Sequence, residues 1–93
     1  MRLPSLHLNG TSPHDLYEQV CDAMGAIRQA IVALDKACPN GRDYYPQGAH
    51  ALAEAIQEHD ERVKRLISVQ RELETIAEHI GDAVSEQDAR RAH

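Results

Sequence analysis

The sequence contains neither phenylalanine nor tryptophan, and three tyrosines are its only aromatic residues in 93 positions. Large aromatic side chains usually anchor the interior of a small domain, so Leu, Ile, Val and Ala must fill this core instead. A chain of this length also buries only about 60–65% of the surface that it exposes when unfolded. We therefore expect a thin core of closely packed helices that gains further burial against a partner.

Positive charge, cysteine and long apolar runs are also scarce. The net charge is −5, and an acidic surface lacks the electrostatic attraction that supplies most nucleic-acid affinity, so duplex nucleic acid is not an expected partner. Cys21 and Cys38 are predicted about 25 Å apart on one helix, beyond the reach of a disulfide. No stretch approaches roughly 18 apolar residues and residues 1–4 do not open a signal peptide, which predicts no membrane contact and a cytoplasmic location.

The first eleven residues are predicted to form a short extended arm, whose residues 3–8 could also be a short strand. Leu3, Leu6 and Leu8 alternate with polar residues, and Asn9-Gly10 is a strong turn signal. Such an arm is too short to fold alone. It must therefore lie against another part of the protein to bury Leu6 and Leu8.

The first helix is predicted over residues 12–37. Ser12 supplies an N-cap hydroxyl, Pro13 occupies the first helical position and Asp15 the third. The segment from Ala37 to Gly41 contains a proline and an Asn-Gly pair, which end the helix. One face carries the apolar residues Leu16, Val20, Ala23, Met24, Ile27, Ala30, Ile31 and Leu34.

A connecting loop over residues 38–47 precedes the second helix, predicted over residues 48–86, and residues 87–93 are predicted to be a disordered tail. Residues 1–86 are taken as a single domain. In this helix, apolar positions alternate at spacings of four and three as in a coiled coil. His59 and Gln70 interrupt this seam and are predicted to be polar core residues that set the register. The seam comprises Leu52, Ile56, His59, Val63, Leu66, Gln70, Leu73, Ala77, Ile80 and Val84.

These elements predict an all-α fold, an antiparallel helical hairpin with a long second helix. The two predicted helices span ~37 Å and roughly 55 Å, so about 18 Å of the second should stay uncovered. We expect this overhang beyond Leu73, where Ala77, Ile80 and Val84 would need another surface. A second copy of the chain is the simplest source, which predicts a homo-oligomeric bundle.

The segment PNGRDYYPQG, residues 39–48, is called the tyrosine segment because it holds two of the three tyrosines. Tyr44 or Tyr45 stacking on a planar base, with Arg42 binding a phosphate beside Asp43, would suit a nucleotide. The alternative is structural: one tyrosine caps the end of the hairpin core, and Arg42 pairs with Asp43 or a helix end. Both interpretations stay open at this stage.

Asn9 and Thr11 form the second candidate site, since they precede a helix N-terminus, where free N–H groups favour an anion. Capping alone explains Ser12 but not these two residues. If a second copy brings its tyrosine segment to this point, a composite ligand pocket results at the interface.

Metal and catalytic sites are not predicted. The six histidines occur without an HExxH or CxxC motif, and His50 and Glu54, one turn apart, are more typical of a solvated helix face. No nucleophile has a recognisable base, so we expect neither a cofactor nor enzymatic activity.

LHLNGTS at residues 6–12, followed by PNGRDYYPQG and a long helix, resembles small proteins encoded by phages and prophages. The architecture is also similar to phage anti-defence sponges, compact oligomers that sequester cyclic nucleotides or ADP-ribose-derived signals. That likeness implies a non-enzymatic protein, in the host cytoplasm, that binds a small anionic nucleotide-like ligand between subunits. The alternative is a protein-interaction module, an inhibitor or scaffold that docks a host or phage protein through the second helix.

Overall fold

A computed structural model describes residues 1–91 and contains three α-helices. They are α1 (Pro13–Lys36), α2 (Gly41–Tyr44) and α3 (Ala51–Arg91), with a 3-10 turn at Tyr45–Gln47 between α2 and α3. Over this range no residue lies in a β-strand. The all-α prediction is therefore confirmed, and the arm contains a turn rather than a short strand.

Helix α1 begins where the sequence predicted. The Ser12 hydroxyl accepts a hydrogen bond from the Asp15 amide at 3.2 Å, and Pro13 occupies the first turn, where its missing N–H leaves no bond unmade. Ala37 caps the C-terminus, and Lys36 in the last turn complements the helix dipole. The predicted bounds differ from the observed ones only by these two capping residues.

The connection between the long helices is more ordered than predicted. Residues expected to form a loop fold into α2 and the 3-10 turn. The side-chain amide of Asn40 donates to the Asp43 carboxylate at 2.9 Å across the start of α2. Gly48 then takes a φ of 108°, a conformation that only glycine adopts readily. Because this reversal uses Gly48 and the two residues after it, α3 begins at Ala51 rather than at residue 48.

Helices α1 and α3 pack antiparallel along the predicted seam. Each of its ten positions is buried or half-buried. Ile80 is 0% exposed, His59 5% and Ala77 7%. The side chain of Gln70 donates to the carbonyl oxygen of Met24 at 3.2 Å, so a polar seam residue does tie the two helices together.

The predicted overhang beyond Leu73 is wrong. Ala77 and Ile80, expected to need a second copy, are among the three most buried residues of the described chain. An overhang would exist only if α1 ended at the same level along the rod as α3 begins. Instead α2 and the 3-10 turn pack against the start of α3, with Leu52 beside Gly41. This displaces α1 toward the C-terminal half of α3, where His14 Nε2 lies 3.4 Å from Asp88 Oδ1.

The last residues of α3 also differ from the prediction. Residues 87–91, expected to be disordered, continue the helix to Arg91, and residues 92–93 of the predicted tail lie outside the described range. Arg90 pairs with Glu86 one turn away at 2.8 Å, and Asp88 approaches His14. Both contacts join exposed side chains, so each favours the helix past residue 86 only weakly.

The arm returns along α3, with one turn inside the arm and one hydrogen-bond contact to α3. Gly10 donates its amide to the His7 carbonyl at 3.1 Å, which closes the predicted turn, and His79 Nε2 lies 3.0 Å from the Pro4 carbonyl oxygen. Leu6 is half-buried, but Leu8 is 100% exposed. The expected burial of Leu8 is therefore wrong, because the turn directs this residue away from the helices.

The hairpin is a rod with principal extents of 68 × 22 × 19 Å and a radius of gyration of 19.9 Å. A compact chain of this length has a radius of gyration of about 12 Å. The rod exposes 7170 Å², roughly 1800 Å² more than a compact monomer of its mass, for which about 5400 Å² is usual. Two helices side by side therefore leave their outer faces without a packing partner.

Candidate functional site

The tyrosine segment lies at one end of the rod and lines an open pocket of about 270 Å³. Tyr44 is half-buried, whereas Tyr45 is 79% exposed. The partial burial of Tyr44 fits the structural alternative, whereas the exposure of Tyr45 does not. The pocket is lined by Gly41, Tyr44, Tyr45, Gly48, Ala49 and Leu52.

The charged residues of this segment do not pair with each other. Asp43 accepts the hydrogen bond from Asn40 that closes α2, so its carboxylate has a structural partner within the segment. Arg42 is exposed and forms no ion pair with any residue in the described range. The structural alternative of an Arg42–Asp43 pair is therefore not observed. An unpaired guanidinium beside an exposed tyrosine suits an anionic group attached to a planar ring.

Asn9 and Thr11 lie at the opposite end of the rod, and both are exposed. A groove of about 560 Å³ lies beside them, between the arm and the end of α3, and their neighbours Gly10 and Ser12 line it. The Ser12 cap already occupies the Asp15 amide, which reduces the number of N–H groups available to an anion at this helix end.

The predicted site residues therefore form two groups at opposite ends of a rod 68 Å long. Arg42, Asp43, Tyr44 and Tyr45 share one end, and Asn9 and Thr11 the other. A single chain does not bring the two groups together. A composite pocket requires a second copy whose direction is reversed.

Arg90 and Gln87 of the arm-end groove were not predicted, because the sequence placed them in a disordered tail. Both line the groove, and the Gln87 Oε1 atom is buried without a hydrogen-bond partner among the described residues. Arg90 adds a guanidinium, paired with Glu86, to the same groove. The i, i+4 spacing of Glu86 and Arg90 was the sequence signal that could have indicated a continuing helix.

A third groove, of about 490 Å³, runs along the side of the rod and was also missed. It is lined by Tyr17, Cys21 and Met24 of α1, and by Glu74, Ala77, Glu78, Gly81, Asp82, Val84 and Ser85 of α3. A hydrogen bond with the Cys21 side chain raises the pKa of Tyr17 above its usual 10.0, and the charge of the Cys21 thiolate and partial burial act in the same direction.

In residues 1–91 no three His, Cys, Asp or Glu side chains are grouped so that they could hold a metal ion. Within the same part of the chain, no helix is long and apolar enough to span a bilayer. Comparison with protein-family models, curated proteins and solved structures finds no match for this chain.

Proposed function

We propose that this chain is a non-enzymatic binding protein of the phage anti-defence type, which sequesters a small anionic, nucleotide-like ligand between like copies. The observation that carries the proposal is an exposed Tyr45 in the wall of an open pocket, with Arg42, exposed and without an ion pair in the described range, three residues earlier in the chain. A stacking ring and a forked cation are the two groups that a nucleotide needs when no glycine-rich loop is present.

The exposure of Tyr45 supports a binding role over a packing role. At 79% exposed, its ring gains little hydrophobic stabilisation from the fold, whereas Tyr44 behind it is half-buried and supports the pocket wall. Gly41 and Gly48 border the pocket, so its rim is low and open to a flat ring. Asp43 has a supporting role here, because its carboxylate holds α2 closed through Asn40.

Assembly in the reversed direction completes the proposed site. When two rods lie side by side and antiparallel, the tyrosine segment of one copy approaches Asn9 and Thr11 of the other. Arg90 lies at the same end as Asn9, and a second phosphate would compete with Glu86 for its guanidinium. Two copies that each covered the roughly 1800 Å² of excess surface would bury about 3600 Å² in total, which is in the range of obligate homodimers.

Thermal-shift measurements against cyclic dinucleotides, cyclic trinucleotides and ADP-ribose isomers test the proposal. At a ligand concentration of ~100 µM, a micromolar binder should stabilise the fold by about 2.7 kcal/mol. Tyr45 is proposed to stack on the base and Arg42 to bind a phosphate. Tyr45→Ala and Arg42→Ala should therefore each lose this stabilisation. Arg65→Ala, an exposed arginine in the middle of α3, is the matched control and should keep it.

Because Arg42 and Tyr45 are exposed, their alanine variants should melt within a few degrees of the wild-type protein when no ligand is present. Absence of stabilisation by every ligand of these classes would refute the proposal. So would a stabilisation that survives the double variant Arg42→Ala/Tyr45→Ala.

A second candidate function is a protein-interaction module that docks a partner through α3. Val69, in the middle of α3, is 43% exposed, and a β-branched apolar side chain on a long helix suits a helix-in-groove contact. A pull-down that recovers one stoichiometric partner with the wild-type protein, but not with Val69→Asp, would favour this function. Tolerance of Arg42→Ala in that assay would separate it from ligand binding.

A further inference from the structure

The side of the rod that carries the 490 Å³ groove is strongly acidic over one part of its length. Glu74, Glu78 and Asp82 follow each other one turn apart along α3 and form one wall, here called the acidic section. All three are exposed, and within residues 1–91 none of them forms an ion pair. Tyr17, which is 40% exposed, lies at the opposite wall on α1. The groove therefore combines unpaired negative charge with accessible apolar surface.

Beyond the acidic section the same side of the rod becomes basic, before Asp35 and Asp60 return negative charge next to the tyrosine segment. Residues seven apart lie two turns apart on nearly the same side of a helix, so Lys64 and Arg71 continue the row of Glu78. On α1, Arg28 continues the row of Cys21 in the same way. These three cations, the basic section, are exposed and unpaired within the range that the structure describes.

The hydrogen bond between Gln70 and Met24 shows which residues of α1 and α3 lie at the same position along the rod. Gln70 is bonded to the Met24 carbonyl, so Arg28, one turn beyond Met24, lies near the part of α3 just before Gln70. Arg71 and Glu78 are about 10 Å apart along the rod at the standard rise. Basic and acidic sections thus follow one another along a single face.

We infer that this face is the surface on which a second copy of the chain docks, antiparallel, with the basic section of each copy against the acidic section of the other. A twofold axis perpendicular to the rod, between the levels of Arg71 and Glu78, exchanges the two sections. A surface of this kind is self-complementary, as a twofold interface requires. The inference rests on the proposed assembly of like copies and specifies its face.

Apolar side chains on this face provide the desolvation that charge alone does not. Val32 is 54% exposed beside Arg28, and Tyr17 is 40% exposed at the other end of the same face. Ile67 between them is half-buried. Opposite charges at the rim of an interface determine the relative orientation of the two copies and their association rate. Apolar side chains that the partner copy covers contribute most of the affinity. Parallel docking would instead oppose acidic with acidic groups.

Charge reversal tests the interface directly. In Arg28→Glu/Arg71→Glu two of the three cations of the basic section become acidic, and in Glu78→Arg/Asp82→Arg two of the three acids of the acidic section become basic. Each variant alone should dissociate to monomers, with Kd raised by at least about 10-fold, because most of the contacts between sections then oppose like charges. An equimolar mixture of the two should recover the dimer mass in light scattering, since most contacts between the two different chains then pair opposite charges.

The matched control is Arg62→Glu/Arg65→Glu, which changes the net charge equally but at positions outside the rows of Lys64 and Glu78. It should retain the wild-type mass. Circular dichroism verifies that each variant keeps its helix content, and the single reversals Arg71→Glu and Glu78→Arg repeat the test if a double variant does not fold. A monomeric wild-type protein, unchanged mass in the reversed variants, or a mixture that stays monomeric would each overturn the inference.

These outcomes are separable from those of the ligand test. A wild-type dimer that obeys charge reversal but is not stabilised by any nucleotide would remove the proposed ligand and leave the interface. A protein that binds nucleotide while its mass ignores charge reversal would keep the ligand and place the interface on another face.

Discussion

The ring of Tyr17 lies directly against the backbone of Gly81, so that a Cβ built on this glycine would be 3.3 Å from Tyr17 Cε2. Gly81 is thus not a weak point at which α3 frays, because the helix continues for ten further residues to Arg91. A glycine in a helix costs about 1 kcal/mol relative to alanine. At this position the missing side chain lets α1 approach α3 closely.

Substitution of Gly81 by alanine should therefore stabilise the fold less than the same change at Gly25. Nothing lies within 4 Å of a Cβ at Gly25, so Gly25→Ala should raise the free energy of unfolding by about 0.5–1 kcal/mol. In Gly81→Ala the Tyr17 ring must move outward by a few tenths of an ångström, which cancels most of that gain. Urea denaturation at one protein concentration measures both, and equal gains at the two sites would contradict the contact.

Ile80 is the largest fully buried side chain of the described chain, at 0% exposed. Truncation by Ile80→Ala should lower the free energy of unfolding by about 2–5 kcal/mol, because it removes buried methyl groups and leaves a cavity. The control is Val69→Ala on the same helix, 43% exposed, which should cost less than about 1 kcal/mol. If both substitutions cost the same, Ile80 is not covered by α1 within one chain.

Gln70 places a polar side chain in the apolar seam, which lowers the stability of the helix pair. Its amide nitrogen donates to the Met24 carbonyl, while its Oε1 is buried without a partner among the residues described. Gln70→Leu should therefore stabilise the helix pair by about 1 kcal/mol in denaturant unfolding. It should also broaden the distribution of masses in solution, because single polar seam residues fix register and partner number. Gln57→Leu, at an exposed position, should do neither, and a destabilised Gln70→Leu would show that Oε1 is satisfied.

Tyr17 should lose its proton at a higher pH than an ordinary tyrosine. The hydrogen bond with Cys21 is the first cause of its raised pKa, followed by the charge of the Cys21 thiolate and partial burial. A raised folded-state pKa favours the neutral phenol, so this contribution to stability is complete below pH 10.0 and is lost as pH rises through the raised pKa. Phenolate absorbance in Tyr44→Phe/Tyr45→Phe isolates the group. Cys21→Ala should lower the midpoint, and Cys38→Ala, which alters an exposed thiol, should leave it unchanged.

The helices and the seam were predictable because periodicity records which side of a helix is covered. Every position of the four-and-three alternation from Leu52 to Val84 is buried or half-buried, including the polar residues His59 and Gln70. Other half-buried residues of α3, such as His79 and Gln87, lie outside this alternation and face the arm. The relative level of the two helices was not predictable, because it depends on how the connection folds. Asn40 and Asp43 make α2 through a side-chain pair that propensity alone does not indicate.

The candidate site was predictable only in part, for a similar reason. Two tyrosines beside an arginine stood out because exposed aromatic residues in a short polar segment need an explanation. Tyr17 gave no such signal, since a tyrosine near an apolar stripe is ordinary. Its importance arises from contact with Gly81, which is distant in sequence. Arg90 was missed because the charged residues around it were taken as a tail, although their spacing suits a helix.

The slender outline of the hairpin, 68 Å long and about a third as wide, has a practical effect on hydrodynamic measurements. A rod experiences more drag than a sphere of equal mass, so a lone copy would elute early from a sizing column and imitate a pair. Two copies side by side would thicken the particle without lengthening it, whereas end-to-end contact would double its length. The maximum dimension from small-angle scattering would therefore separate a side-by-side pair from an end-to-end pair.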